Sequence, residues 1–271
     1  MNDTKSNLVE RTLAIPDLHQ HWIDSYYTED DTFYELAFDY ITNILKAPEN
    51  SVLLDAGCGN CAHSIRLANR GFFVKAIDFS EAVLEMAREN ISTKGLEGKI
   101  NIQRANILAL PFQDKTFRYI LCWGVLMHIP DLEKAITELT RVLKPGGILV
   151  ISEGNIYSIQ SMILPILRRF LGNKKADVKK TPSGIESWGT TSAGPLLTRT
   201  ANIRWLIKQF KSRGFTVKKR IANQLTDAYS RVPSRLLRNL IRSFNKFWFR
   251  YIKIPYAAGG NILILQLEKV E

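Results

Sequence analysis

The sequence predicts an α/β fold built on a doubly wound, mostly parallel sheet. Two observations carry that expectation. Short apolar runs recur between residues 52 and 152, and amphipathic stretches separate them, with glycines or capping residues at the junctions. Strand alternating with helix means βαβ units, whose right-handed crossovers put helices on both faces. Such sheets bind ligands beyond the carboxyl ends of their strands, at the point where strand order reverses.

Taken in order, residues 19–45 place Trp22, Tyr26, Phe33, Leu36, Tyr40, Ile41 and Ile44 at helical spacing. They predict an N-terminal helical cap over residues 1–50. Val52-Leu53-Leu54 reads as the first buried strand, with a helix over 61–70 and a second strand over 72–77. Ser80 is a good N-cap for the helix carrying Ala82, Val83, Leu84, Met86 and Ala87. Strands follow over 100–105 and 117–122. Asp131 caps a helix over 131–143, and Lys144-Pro145-Gly146-Gly147 stops it before a strand over 148–152. The alternation breaks after Glu153, resumes with a helix over 201–213 closed by Gly214 and a strand over 215–221, then breaks again before a last strand over 262–267. The expected organisation is therefore one domain over 51–271, with basic helical insertions at about 155–200 and 222–258 forming a substrate-covering lid.

Composition narrows the class. Hydrophobic content of 45% and charged content of 23% are those of an ordinary globular chain. No apolar run approaches the roughly 20 residues that span a bilayer. The first thirty residues carry Asp3, Glu10, Asp17, Asp24, Glu29 and Asp30 and no apolar core segment, so a cytoplasmic protein without a secretory signal is expected. Cys58 and Cys61 spell C-x-x-C, a redox pair or half of a zinc site. No second cysteine pair accompanies them, so no bound metal is expected. Charge is split along the chain. Residues 1–158 hold 15 Lys/Arg against 21 Asp/Glu, whereas residues 159–253 hold 21 against 3. A basic half points to an anionic partner or to a solvated surface.

The segment richest in chemistry is Val52-Leu53-Leu54-Asp55-Ala56-Gly57-Cys58-Gly59-Asn60-Cys61-Ala62. A strand enters a turn whose glycines let the backbone approach a ligand, and a helix follows. Gly57 to Ala62 also satisfies the dinucleotide pattern G-x-G-x-x-A. Electrostatics separates the two readings. A pyrophosphate wants backbone N–H groups and no carboxylate beside it, whereas Asp55 suits a cationic ligand. Asp78, ending the next strand, lies at the distance expected of an acid that holds ribose hydroxyls, which fits either cofactor class.

Asp55-Ala-Gly-Cys-Gly, Asp78-Phe-Ser, Leu110-Pro-Phe-Gln-Asp, Leu126-Met-His-Ile-Pro-Asp131 and Leu143-Lys-Pro-Gly-Gly147 follow one another in order and spacing. In this the chain resembles class I S-adenosylmethionine-dependent methyltransferases of the small-molecule type. The resemblance implies a Rossmann-like methyltransferase sheet, S-adenosyl-L-methionine as cofactor, and methyl transfer to a small molecule. It assigns Asp55, Gly57, Cys58 and Gly59 to the methionine end, Asp78 to the ribose and Phe79 to the adenine face. Asn106 stands where the family commonly has Asp; its carbonyl would accept from the adenine amino group, and Ile107 would offer its backbone N–H. Cys122 and Trp123 would line the methionine side.

Methyl transfer from a sulfonium needs mainly alignment and, for a hydroxyl acceptor, a base. His128 and Glu153 are the catalytic candidates, although His128 reads more readily as a packing histidine bound to a backbone carbonyl. His19, His21, Tyr26 and Tyr27 could close the cap over the cofactor. Between 233 and 252, Leu236, Leu237, Leu240, Ile241, Phe244, Trp248, Tyr251 and Ile252 form one helical stripe, with Arg235, Arg238, Arg242, Lys246 and Lys253 opposite. This pattern fits either peripheral contact with an anionic inner membrane surface or packing on the domain. Nucleic-acid methylation is the competing basic reading, disfavoured because no recognised binding module is appended. A nicotinamide-dependent oxidoreductase and a non-catalytic cofactor-binding protein complete the alternatives.

Overall fold

The computed structural model describes residues 2–20, 32–163, 178–191, 193–226, 232 and 234–269. The strands are β1 (Val52–Ala56), β2 (Phe73–Asp78), β3 (Ile100–Arg104), β4 (Phe117–Trp123), β5 (Leu143–Gly154), β6 (Val178–Thr181), β7 (Gly184–Thr191), β8 (Gly194–Ala201), β9 (Phe215–Ala222) and β10 (Gly260–Leu267). The main helices are α1 (Asn2–Leu13), α2 (Thr32–Leu45), α3 (Ala62–Ala68), α4 (Glu81–Thr93), α5 (Leu132–Val142), α6 (Ile203–Lys211) and α7 (Arg235–Phe247).

Seven strands form the central sheet in the order β3-β2-β1-β4-β5-β10-β9. All pairs from β3 to β5 are parallel, and β10 runs antiparallel between β5 and β9. The order reverses between β1 and β4, which puts the crevice above those two strands. The predicted caps hold: Ser80 Oγ accepts from Val83 N at 3.3 Å, and Asp131 Oδ1 from Lys134 N at 3.0 Å. Gly214 ends α6 with φ of 82°, and β5 begins earlier than expected, at Leu143. The Pro-Gly-Gly stretch is absorbed as an irregularity in the β4–β5 ladder rather than as a separate turn.

Two apolar layers cover the sheet. One joins α2, α3 and α4 through Phe38, Ile41, Leu53, Leu67, Leu84 and Leu121; the other joins α5 and α6 through Leu54, Ile120, Ile136, Leu139, Phe210 and Leu263. Glu35 of α2 also pairs with Arg66 and Arg70 at 3.0 and 2.7 Å. Glu35 is half exposed, so these pairs contribute about 1 kcal/mol or less. Burying Phe38 alone contributes about 1.5–3 kcal/mol, so apolar packing decides where α2 sits.

The first insertion departs from expectation. Its described part opens with helical residues 159–163, but the rest is a three-stranded antiparallel sheet, β6-β7-β8. Threonines favour strands there, and Gly184, with φ of 147°, brings a Cβ position within 2.1 Å of Thr200 O, a corner that only glycine fits. Leu196 and Leu197 of β8 pack against Val9, Leu13 and Leu18, so α1 rides on this small sheet. In the cap, residues 16–20 and 32–45 are helical, while Trp22, His21, Tyr26 and Tyr27 lie outside the described residues. The second insertion is helical as expected, but its orientation is not a packed one. Leu236, Leu240, Phe244, Phe247 and Tyr251 face solvent, at 73, 58, 48, 50 and 66% exposure. Asn245 and Phe249 turn inward instead. No helix among the described residues is long and apolar enough to cross a membrane.

Candidate active site

The acid–glycine corner is fixed by backbone bonds. Gly57 N and Cys58 N both donate to Ile77 O at 2.8 Å, tying the end of β1 to β2. Gly57 and Gly59 adopt φ of 88° and 53°, the left-handed region. At Gly57 an added Cβ would lie 2.4 Å from Val125 Cγ2, whereas at Gly59 it would meet nothing within 4 Å. Gly57 therefore lets two loops close on each other, and Gly59 leaves backbone open to a ligand.

Two buried carboxylates flank these glycines. Asp78 Oδ2 accepts from Gly59 N at 3.1 Å and Oδ1 from Ser80 N at 3.1 Å. Burial raises its carboxyl, while these bonds and the nearby His19 pull the other way. Asp55 accepts from Ser64 Oγ at 2.6 Å, and burial, reinforced by the charge of Asp78, pushes its carboxyl up to about 7. An acid held so far above its usual range gains most from a cation brought beside it.

The cysteines behave as packing groups. Cys58 and Cys61 bury their thiols in the layer beneath α2, and burial raises the Cys58 thiol well above its usual range. Cys122 is fully enclosed by Ala56, Ile120 and Leu126 in the opposite layer. Its side chain thus points to the opposite face from Trp123, as successive residues of a strand do, with both at the carboxyl end of β4. Trp123 sits on the other face, with ring centroids 5.3 Å from Phe38 and 5.0 Å from His63.

On the adenine side, Phe79 packs against the α1–β8 cluster, and Ile107 buries its side chain in the lower layer. Asn106 is more committed than its sequence position implied. Its Oδ1 accepts from Leu108 N at 2.9 Å, and its Nδ2 donates to Glu10 Oε1 at 3.0 Å. Glu10, brought by α1, has no local sequence signal that links it to residue 106.

Glu153 ends β5 with Oε1 accepting from Leu126 N at 2.9 Å. Its Oε2 is buried with no hydrogen-bond partner, and burial pushes the carboxyl up to about 8. His128 sits in the same turn. Its Nδ1 donates to Leu197 O at 2.7 Å, and burial lowers the ring to about 4. A neutral imidazole so far below its usual range is a weak base, which favours the packing role for His128 over the catalytic one. The turn itself is clamped by Arg199, which donates to Leu126 O and Ile129 O at 3.0 and 2.8 Å and pairs with Glu186 at 2.8 Å. Arg199 and Glu186 come from the small sheet, and sequence reasoning did not find them. His19 Nε2 donates to Leu13 O at 2.8 Å, and its charge acts on Asp78.

A glycine corner open at Gly59, between one acid suited to an ammonium group and another suited to sugar hydroxyls, fits S-adenosyl-L-methionine. On this sheet order, that arrangement defines the crevice of a class I methyltransferase. A family model described as a methyltransferase domain matches residues 48–209, and the chain belongs to that family. A demethylmenaquinone methyltransferase of Bacillus cytotoxicus is 36% identical over 113 residues, covering 41% of this chain and 47% of the relative. The chain thus spans about half the length of that curated relative. Among solved structures, the [4+2]-cyclase SpnF superposes with a TM-score of 0.59 at 18% identity, over 87% of this chain and 81% of that one. A geranyl diphosphate C-methyltransferase from Streptomyces coelicolor gives 0.56 at 15% identity, over 88% and 79%. At these identities the structural likeness speaks for the fold.

Proposed function

We propose that this chain transfers a methyl group from S-adenosyl-L-methionine to a small-molecule acceptor that is lipid-linked or anionic, at the surface of an anionic membrane. The observation that carries the cofactor half is the Asp55–Gly57–Gly59–Asp78 corner, open only at Gly59. When bound, the cofactor supplies a methyl group on a sulfonium that is already a good leaving group. Asp55 balances the cationic amino-acid end, Asp78 holds the ribose, and Phe79 with α1 covers the adenine. Glu153 holds the one buried carboxylate oxygen left without a partner among the described residues, which suits it to take a proton from the acceptor. Support for the acceptor class comes from α7, whose leucines and phenylalanines face solvent beside Arg235 and Lys246. Labelled methyl from S-adenosyl-L-methionine should enter material extracted into organic solvent from membranes incubated with the protein. Uptake of a nicotinamide dinucleotide in its place, or labelling confined to RNA, overturns the proposal.

Two results follow from the acids. Cofactor affinity should rise with pH up to about 7 and then level off. Asp55 has its carboxyl raised to about 7 in the free protein, so below that value a proton must leave as the cation binds. Well below pH 7, each unit costs about tenfold in Kd. Calorimetry at pH 6 in buffers of different ionisation enthalpy should record a proton released. For Glu153→Gln, kcat should fall by about 10²–10⁴-fold on an oxygen or nitrogen acceptor, with cofactor Kd unchanged. The wild-type rate should climb as pH passes about 8, where Glu153 ionises, and the variant should lose that climb.

A further inference from the structure

At the outer edge of the sheet, two arginines lie over two tyrosines. The Arg204 guanidinium, on the first turn of α6, is 4.7 Å from the Tyr157 ring centroid. Arg220, near the end of β9, is 4.4 Å from that of Tyr256. Buried asparagines hold the two pairs side by side. Asn155 Oδ1 accepts from Tyr157 N at 3.1 Å, and its Nδ2 donates to Tyr256 O at 3.2 Å. Asn261 accepts from Arg220 Nε at 2.5 Å and donates to Pro255 O at 2.8 Å. Both asparagines are fully buried.

Neither arginine forms an ion pair with a carboxylate among the described residues, whereas Arg66, Arg70, Arg141, Arg199 and Arg213 each do. Burial lowers Arg220 from its usual range; Tyr256 beside it pulls the other way, and the charge of Arg204 adds to the lowering. Two planar guanidinium forks over neighbouring tyrosines, Arg204 exposed and Arg220 half-buried with its Nε on Asn261, suit a multivalent oxyanion such as phosphate. The surroundings say what carries it. Ile159, Met162, Ile163 and Ile254 stand exposed at 47, 65, 46 and 48% beside the two tyrosines. This apolar rim joins the side that bears α7, because Gln160 bonds Thr226 and Thr226 bonds Asn245 of that helix. A free anion would need only the arginines; the apolar rim fits an amphiphile.

We propose that Arg204 and Arg220 form a notch for the phosphate head group of an anionic membrane lipid, with the Met162–Ile163 and Ile254–Tyr256 side chains entering the apolar layer around it. The proposal rests on the membrane part of the function above and gives it a head-group site. The test is flotation of the full chain with phosphatidylcholine vesicles, with and without phosphatidic acid. Arg204→Gln/Arg220→Gln should lower binding to the phosphatidic acid vesicles by about tenfold or more. Lys144→Gln/Lys269→Gln removes the same charge at the opposite end of the sheet and should change binding less than about twofold. Equal losses in the two double variants overturn the notch, as does no loss in the first. Calorimetric binding of inorganic phosphate through the two arginines without vesicle flotation also overturns it, because the ligand is then a free anion. S-adenosyl-L-methionine uptake, measured on every variant, reports folding. It also separates the two proposals: lost uptake in the wild type sinks the function, while arginine-independent flotation sinks only the notch.

Discussion

Replacing Asp78 by alanine is expected to weaken S-adenosyl-L-methionine binding by about a hundredfold or more, with the chain still folded. The carboxylate is 9% exposed and already bonds two backbone donors, Gly59 N and Ser80 N. Removing it leaves both donors short of a partner, at about 1–3 kcal/mol for each that stays buried. It also deletes the charged acceptor for the ribose hydroxyls, where charge-assisted bonds are roughly twice as strong as neutral ones. The two losses separate experimentally. Asp78→Asn keeps the shape and one acceptor oxygen, so it should preserve most of the melting temperature yet still lose about tenfold in affinity. Titration calorimetry against the cofactor decides the matter; an alanine variant within threefold of wild type would remove Asp78 from the site.

The parallel half of the molecule was legible because its signals are local. A strand, a glycine turn and a capped helix each occupy fewer than twenty residues, and β1 to β5 emerged with the caps at Ser80 and Asp131 in place. The corner glycines and both acids were readable for the same reason. The small sheet was not. Its ladder pairs Lys179 with Glu186 and Glu186 with Arg199, and nothing local announces the partner. The clamp on the Leu126–Ile129 turn was lost with it, since Arg199 reaches that turn across 73 residues. Glu10 meets Asn106 across 96 residues and was equally silent.

Cys122 and Trp123 show a different limit. Strand alternation already forbade Cys122 and Trp123 from sharing one wall, and the structure puts them in opposite layers. For α7, the helical stripe was readable but its direction was not. Which face turns inward is set by tertiary partners. Asn245 bonds both Thr226 N and Thr226 O, and Phe249 packs edge-on to Phe33 at 5.3 Å. Those contacts leave the leucine and phenylalanine stripe outside. The basic half of the sequence thereby acquires an apolar surface that net charge alone could not reveal.

Gly57→Ala is expected to destabilise the fold by about 2–5 kcal/mol, the sum of two separable costs. One is steric. The new methyl would lie 2.4 Å from Val125 Cγ2 and 2.9 Å from Cγ1, and such overpacking costs about 1–3 kcal/mol. The other is conformational, since φ of 88° costs a residue bearing Cβ about 1–2 kcal/mol. At about 2–4 °C per kcal/mol for a chain of this size, melting should fall by roughly 4–20 °C. Val125→Ala in the same chain should restore the steric part only, because it frees the contact and leaves the backbone where it was. Gly59→Ala provides the contrast. Its φ of 53° carries only the backbone cost of about 1–2 kcal/mol, and its Cβ would meet nothing within 4 Å, so melting should drop less than for Gly57→Ala while cofactor affinity falls, the methyl standing where backbone meets ligand. Should Gly57→Ala melt with the wild type, or Gly59→Ala bind the cofactor unchanged, the division between a glycine that closes the loop and one that faces the ligand fails.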